Sequence, residues 1–160
     1  MTKETNFTKV ALFGDAMTLE LPKEYYSIAG MRQIPNNQEV FVFEDDSIVI
    51  ELLESAEGNT ATEAISFHFD VIKEDNEATE SKVELVEEIS VPLLENGGFG
   101  AVLLGKQIVD GLEVEMGIVL LRLDNVSTDI VVTWHKVDIY RDSLIHLAQT
   151  LKIEKWTLFN

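Results

Sequence analysis

The sequence predicts an α+β fold, in which a central, mostly antiparallel and twisted β-sheet is flanked by α-helices. Strand-like runs follow one another with only short turns between them, which favours antiparallel pairing. Two amphipathic helical patterns stand among the strands rather than after every strand, which argues against parallel βαβ winding. A chain of 160 residues with 46% hydrophobic residues is long and apolar enough for one domain with its own core.

The first part of the chain contains a predicted hairpin and two further strands. A Gly-Asp pair separates the apolar runs 10–13 and 17–21 and suits a tight reversal of the chain. A Pro-Asn-Asn turn then precedes a strand over residues 39–43. The run 47–53 is nearly all apolar and rich in β-branched residues, which predicts a central strand covered on both faces.

Two helices and four more strands complete the predicted fold. Thr60 and Glu63 have the spacing of a capping box at the start of a helix over 59–72, whose apolar residues repeat with the helical period. Residues 142–152 form a second amphipathic helix. Between the helices lie four extended segments bounded by Gly, Asp and Asn turn residues, at 82–91, 99–109, 112–123 and 128–137.

The formal net charge of −17 restricts the classes of partner. Nucleic-acid binding relies on Lys and Arg that neutralise phosphates, and anionic membrane surfaces attract the same residues, so both partners are disfavoured. No apolar run approaches the roughly 20 residues needed to span a bilayer. We therefore expect a soluble protein that binds neither nucleic acid nor membrane. We also expect a monomer, although neither charge nor hydropathy determines the oligomeric state.

The chain has no cysteine, which excludes disulfides, thiolate catalysis and Cys-ligated zinc and is compatible with a reducing compartment. The N-terminus lacks a secretory apolar segment and the Gly needed for myristoylation. We expect one domain over residues 1–160, with residues 1–8 as a flexible N-terminal tail, in the cytosol or the nucleus.

Negative charge is concentrated in one part of the chain. Residues 33–72 contain no Lys or Arg. Such one-sided charge suggests that the partner presents a cationic surface. The nine acids of this segment are Glu39, Glu44, Asp45, Asp46, Glu51, Glu54, Glu57, Glu63 and Asp70.

Known catalytic and ligand-binding motifs are not matched. Residues 100–107 have the G-x4-G-K spacing of a phosphate-binding loop, but Gln107 stands where a Ser or Thr hydroxyl should meet magnesium. The three histidines lack metal-ligand spacing. His68 and Asp70 could approach as a base and its orienting acid, but no nucleophile elbow accompanies them. We predict no catalytic residue, no cofactor and no metal.

Glu39, Glu51 and Glu54 differ from the other acids because each is embedded in apolar strand sequence. A carboxylate at such a position lies at a strand end, is hydrogen-bonded inside, or is displayed to a partner, since an unpaired buried charge is costly. The residues alone leave a structural role and a binding role equally open. The remaining acid groups are interpreted as solvated surface.

Three short motifs occur in order along the first third of the chain. The first is Phe13-Gly14-Asp15-Ala16. The second, residues 32–41, reads Arg-Gln-Ile-Pro-Asn-Asn-Gln-Glu-Val-Phe, and the third, residues 47–54, reads Ser-Ile-Val-Ile-Glu-Leu-Leu-Glu. They resemble three segments of the Mog1 family, which read Phe-Gly-Gly-Ala, Arg-x-Val-Pro-Asp-x-Gln-Glu-Val and Ser-x-Ile-Val-Glu-Leu-Leu-Glu.

The resemblance extends to later strands and covers most of residues 12–134. It implies the fold shared by Mog1 and PsbP-like proteins, a central antiparallel sheet flanked by helices. Because members of the Mog1 family bind the GTPase Ran and promote release of its nucleotide, it also implies a Ran-binding release factor. Such a protein would support nucleocytoplasmic protein transport and occur in the nucleus and cytoplasm.

The resemblance also implies which residues contact Ran. The family's acidic surface includes the Asp and Glu of its Pro-Asp-x-Gln-Glu turn, which fall here on Asn36 and Glu39. We place Glu39 at the centre of an acidic patch and expect Glu39→Lys to weaken Ran binding while leaving the melting temperature nearly unchanged. The predicted partner-binding residues are Arg32, Asn36, Gln38, Glu39, Asp45, Glu51 and Glu54.

Two other functions remain open at this stage. One is an acidic adaptor of the same fold with a different basic protein partner. The other is a small hydrolase that uses Glu51 or His68, which would require a concave pocket around those groups.

Overall fold

The computed structural model describes residues 6–160, apart from the side chain of Asn96. Within these residues two α-helices stand among ten strands, and the helices are α1 (Ala61–Asp75) and α2 (Arg141–Thr150). The strands are β1 (Phe7–Leu12), β2 (Met17–Pro22), β3 (Tyr26–Ser27), β4 (Gln38–Phe43), β5 (Asp46–Glu54), β6 (Glu80–Ile89), β7 (Gly98–Val109), β8 (Leu112–Leu123), β9 (Thr128–His135) and β10 (Lys152–Ile153). Short 3-10 turns cover Pro92–Asn96, Asp124–Val126 and Trp156–Phe159.

Seven strands form the main sheet, in the order β3-β4-β5-β9-β8-β7-β6. All neighbours in it are antiparallel, and strand β5 lies in its interior between β4 and β9. The predicted α+β fold with a central antiparallel sheet is therefore confirmed. The segment with the spacing of a phosphate-binding loop lies inside β7, where Gln107 is buried and donates to the backbone carbonyl of Phe69.

Each face of the main sheet is covered by a different layer. Helix α1 packs on one face through an apolar cluster that includes Ile65, Phe69 and Ile118. The other face is covered by α2 and by a small sheet in the order β1-β2-β10, through a larger cluster that includes Leu19 and Leu147. The sheet side chains alternate between these two layers, so neighbouring residues of a strand point to opposite faces.

Helix α1 begins as its sequence predicts. Thr60 is the N-cap, and its hydroxyl oxygen accepts a hydrogen bond from the backbone N–H of Glu63. The Glu63 carboxylate in turn accepts from the backbone N–H of Asn59 at 3.4 Å, so the two side chains satisfy free amides at the helix start. The helix lies close to β7 because Gly105 has no side chain, and a Cβ there would meet the Phe69 ring at 2.8 Å.

Several boundaries differ from the prediction. Phe7 and Thr8 already pair with β2, so β1 starts inside the predicted tail. Residues 1–5 of that tail lie outside the described residues. Strand β6 begins and ends two residues earlier than 82–91, and β9 ends two residues earlier than 137. The two-residue strands β3 and β10 lack a sequence signal because they are too short to show alternation.

Strand β6 forms one edge of the main sheet, and among the described strands it is paired with β7 alone. Its register with β7 shifts between Val83 and Leu85, where an extra residue forms a β-bulge. Most of its side chains are exposed, and several of them are charged.

Candidate functional site

Five of the seven predicted binding residues lie at the end of the main sheet where β4 begins and β5 ends. We call this surface the acidic end, and it consists of the turn 35–37, Gln38, Glu39, Glu51, Glu54 and the β1–β2 turn 13–16. Backbone hydrogen bonds fix its frame, because the Leu52 N–H donates to the carbonyl of Asn37 at 2.9 Å. The Asn37 side-chain amide donates to the carbonyl of Leu52 at 3.1 Å. The turn that begins β4 is therefore fastened to the end of β5.

Glu39 holds the turn between β1 and β2. The backbone N–H of Phe13 donates to Oε1 of Glu39 at 2.8 Å. Phe13, Gly14 and Asp15 all have positive φ, at 51°, 63° and 68°. Because left-handed backbone is unfavourable for residues other than glycine, this turn depends on contacts that fix it, and the Glu39 carboxylate supplies one.

The same contact corrects one expectation from the sequence. Glu39 is half-buried and hydrogen-bonded, so replacing it affects folding as well as the surface. None of the ion pairs among residues 6–160 includes its carboxylate. One carboxylate oxygen of Glu39 thus accepts a hydrogen bond from the turn. In the part of the chain that the structure describes, no Lys, Arg or His forms an ion pair with this carboxylate.

Gln38 and Glu51 lie on the opposite face of the sheet from Glu39. They are cross-strand partners, and the Gln38 side-chain amide donates to Oε2 of Glu51 at 2.9 Å. Glu39 instead faces the same side as Ile50, which belongs to the cluster beneath α2. Glu51 is therefore a half-buried, hydrogen-bonded carboxylate at the sheet end rather than a direct neighbour of Glu39.

Two of the predicted residues stand apart from this group. Asp45 is exposed in the turn between β4 and β5, at the far end of the hairpin. Six residues separate it from Glu39, about 20 Å at the usual rise of a strand. Arg32 is exposed in the loop before β4, where its backbone N–H donates to the carbonyl of Ile28. The structure thus does not bring Asp45 next to the acidic end.

A cavity of about 710 Å³ opens at the acidic end beside Asn36 and Glu54. Its other wall is formed by Leu158 and Phe159 of the C-terminal 3-10 turn. Sequence reasoning missed this turn, although its Trp-Thr-Leu-Phe composition is unusually apolar for the end of an acidic chain. A second cavity of about 710 Å³ lies at the opposite end of the sheet and includes Tyr25 and Trp134.

The pairing of His68 with Asp70 that the sequence allowed does not form. Asp70 is exposed, whereas the Nε2 of His68 lies 2.8 Å from Oδ2 of Asp129 on strand β9. Arg122 donates to both oxygens of the same carboxylate, at 2.7 and 2.9 Å. Asp129 is completely buried, and neither His68 nor Glu51 lines either of the two 710 Å³ cavities.

The buried network of His68, Arg122 and Asp129 has a structural role. Burial by itself would raise the pKa of Asp129, but the hydrogen bonds from Arg122, His68 and the backbone N–H of Ala56 outweigh it and hold the pKa at about 2. The Arg122 guanidinium also donates to the carbonyls of Ala56 and Gly58. The network therefore fastens the loop that leads into α1 to strands β8 and β9.

Further features limit the chemistry of the described residues. Within residues 6–160, no group of three or more His, Asp or Glu side chains is arranged to hold a metal ion. No helix of that part is long and apolar enough to cross a membrane.

Comparison with known proteins gives a consistent result. The family model described as Ran-interacting Mog1 protein matches residues 10–137, so the match ends before α2 and the C-terminal turn. The Ran guanine nucleotide release factor of Danio rerio is 31% identical over 160 aligned residues, covering 92% of this chain and 87% of that protein. The nuclear import protein MOG1 of Saccharomyces cerevisiae is 29% identical, covering 80% of this chain and 65% of that protein.

Solved structures share the fold. The crystal structure of the Ran-binding protein Mog1p of Saccharomyces cerevisiae superposes with a TM-score of 0.83 at 22% identity, covering 98% of this chain and 100% of that one. The solution structure of cyanobacterial PsbP from Synechocystis superposes with a TM-score of 0.63 at 10% identity, covering 94% of each chain.

Proposed function

The chain belongs to the family of Ran-interacting Mog1 proteins, and from that premise we propose that it binds a Ran GTPase and promotes release of its guanine nucleotide. This activity supports nucleocytoplasmic protein transport. The protein acts as a single-domain monomer in the nucleus and cytoplasm, with a protein partner and with neither nucleic acid nor membrane. It acts by binding and breaks no covalent bond.

The observation that carries the proposal is the state of the Glu39 carboxylate. One of its oxygens is hydrogen-bonded to the Phe13 amide, and no cation among the described residues neutralises it. Its position is thus fixed while its charge remains available to a partner. A charge that is held in place before binding loses little conformational freedom on association.

The surroundings of Glu39 favour a cationic partner. Residues 33–72 contain no Lys or Arg, and Glu51 and Glu54 lie at the same end of the sheet. A net charge of −17 raises the encounter rate with a basic surface and makes that rate sensitive to salt. We therefore assign Glu39, Gln38, Asn36, Glu51 and Glu54 to the Ran-binding surface, which is the acidic end of the sheet.

Arg32 and Asp45 complete the proposed partner-binding residues. Arg32 lies in the exposed loop that precedes the turn 35–37, close in sequence to the acidic end. Asp45 lies at the other end of the hairpin, so its contribution is to long-range attraction rather than to direct contact with the same partner group.

Nucleotide release follows from thermodynamic linkage. If the protein binds nucleotide-free Ran more tightly than nucleotide-bound Ran, then it weakens nucleotide binding by the ratio of those two affinities. A carboxylate such as that of Glu39 can pair with a basic group of the GTPase that would otherwise hold phosphate. The protein then replaces one anionic ligand of the GTPase by another.

Release of a fluorescent guanine nucleotide from Ran, with and without the protein, tests the proposal. We expect release to accelerate, the acceleration to fade at high salt, and Glu39→Lys to abolish it. Glu88→Lys is the matched control, because it makes the same charge change on the exposed edge strand β6. An unchanged rate of nucleotide release at every protein concentration and at low salt would contradict the proposal. The alternative function, an acidic adaptor with a different basic protein partner, would then be favoured.

A further inference from the structure

The cavity at the acidic end is built from two parts of the chain that are far apart in sequence. One side is the turn with Asn36 and Asn37 together with Leu52 and Glu54 at the end of β5. The other side is formed by residues 158–160 at the C-terminal turn, and residues 126–128 also line the cavity. The cavity volume of about 710 Å³ is enough for a long side chain with its hydration.

The C-terminal wall is held by defined contacts. Strand β10 pairs with the start of β2, and the backbone N–H groups of Glu154 and Lys155 both donate to the carbonyl of Ala16, at 2.7 and 3.0 Å. Leu158 and Phe159 are half-buried and pack against the main core. Ala16 belongs to the turn that Glu39 fastens, so the wall and Glu39 are attached to the same short segment.

The chemistry of the cavity combines an apolar wall with an anionic rim. The wall consists of the side chains of Leu52, Leu158 and Phe159, and the Glu54 carboxylate is exposed at the rim. No Lys or Arg lines the cavity among the described residues. Lysine and arginine side chains fit such a surface, because their carbon stems cover apolar groups while the charged head stays near water and a carboxylate. An aromatic ring adds attraction for the cation.

We propose that this cavity receives a lysine or arginine side chain of the GTPase partner, with the stem against Phe159 and Leu158 and the head at Glu54. The C-terminal turn is then part of the docking surface and contributes to the choice of partner. This inference rests on the proposed function, since the occupant belongs to Ran.

Equilibrium binding to nucleotide-free Ran, measured with Glu54→Lys, Phe159→Ala and the double variant, tests the inference. We expect Glu54→Lys to raise Kd at least about tenfold, because a reversed charge faces the incoming cation. Phe159→Ala should raise Kd several-fold, and the double variant should lose less than the two single losses combined, because both act on one side chain. A thermal melt of each variant confirms that the binding loss is measured on folded protein.

Matched controls change one acidic and one aromatic side chain at the opposite end of the sheet. Asp45→Lys and Tyr140→Ala change an exposed acid and an exposed aromatic residue outside this cavity. We expect Tyr140→Ala to leave Kd unchanged and Asp45→Lys to change Kd less than Glu54→Lys at high salt.

The outcomes separate this inference from the proposed function. Wild-type Kd values for Glu54→Lys and Phe159→Ala, with weakened binding by Glu39→Lys, would overturn the cavity assignment and leave Ran binding intact. Absence of binding by the wild-type protein to Ran in every nucleotide state would overturn both. Weaker binding by both cavity variants with less than additive effects would support the inference.

Discussion

The hydrogen bond from the Phe13 amide to Glu39 gives this carboxylate two separable roles, which two substitutions can distinguish. Glu39→Ala removes the acceptor from a turn with three consecutive left-handed residues. A hydrogen bond to a charged group contributes roughly 1.5–3 kcal/mol, and water partly replaces it at a half-exposed site, so we expect a loss of about 1–2 kcal/mol in unfolding free energy. For a domain of this size, that corresponds to a fall of about 2–8 °C in Tm.

Glu39→Gln keeps an oxygen acceptor of nearly the same shape and removes only the charge. We expect less than about 1 kcal/mol loss in unfolding free energy, because a neutral acceptor still satisfies the amide. Ran binding should fall about tenfold or more, the equivalent of about 1.4 kcal/mol, because the interfacial charge is gone. Chemical denaturation and equilibrium titration with Ran measure the two effects on the same preparations.

Two results would refute this reasoning. If Glu39→Ala unfolds at the wild-type denaturant concentration, then the bond to the Phe13 amide does not hold the turn. If Glu39→Gln binds Ran with the wild-type Kd while Glu39→Ala does not, then the carboxylate acts on binding only through the turn, and its charge is not a contact.

Three further predictions concern stability. Asp129→Asn leaves the buried Arg122 guanidinium without its counter-charge and should lower the unfolding free energy by roughly 3–5 kcal/mol in urea denaturation. An unchanged urea midpoint would contradict this prediction. In the wild type the depressed pKa of Asp129, about 2 against 3.8, gives a contribution that is complete above pH 4 and is lost as the pH falls towards 2. Acid unfolding followed by circular dichroism should therefore begin at higher pH in Asp129→Asn, and coincident acid transitions would contradict this. Gly105→Ala places a Cβ 2.8 Å from the Phe69 ring and should cost about 1–3 kcal/mol in urea denaturation, while Gly111→Ala meets no atom within 4 Å and tests backbone strain alone.

Local sequence signals were sufficient to predict those elements whose structure is determined within a single short segment. The β-branched run that became β5 and the Thr60–Glu63 capping box act over a few residues, and both were predicted correctly. The Gly-Asp turn between β1 and β2 was predicted for the same reason, although its three left-handed residues were not.

The arrangement of the candidate site depends on contacts that sequence spacing does not reveal. The bond between Glu39 and Phe13 joins residues 26 positions apart, and the pair of His68 and Asp129 joins residues 61 positions apart. The pairing of Gln38 with Glu51 requires the register of β4 against β5, and the predicted strand over residues 39–43 did not include Gln38. The C-terminal wall of the cavity escaped prediction because its position follows from a two-residue strand, β10.

The β-bulge between Val83 and Leu85 affects how the molecule behaves at high concentration. An unpaired outer strand offers free amides and carbonyls to any other extended chain, and such contacts lead to aggregation. The bulge twists the strand and disrupts the regular spacing of those groups, and the exposed carboxylates of Glu80 and Glu88 on either side repel a second copy of the same strand. The irregular backbone of β6 therefore protects the molecule against edge-to-edge pairing of its main sheet with other copies.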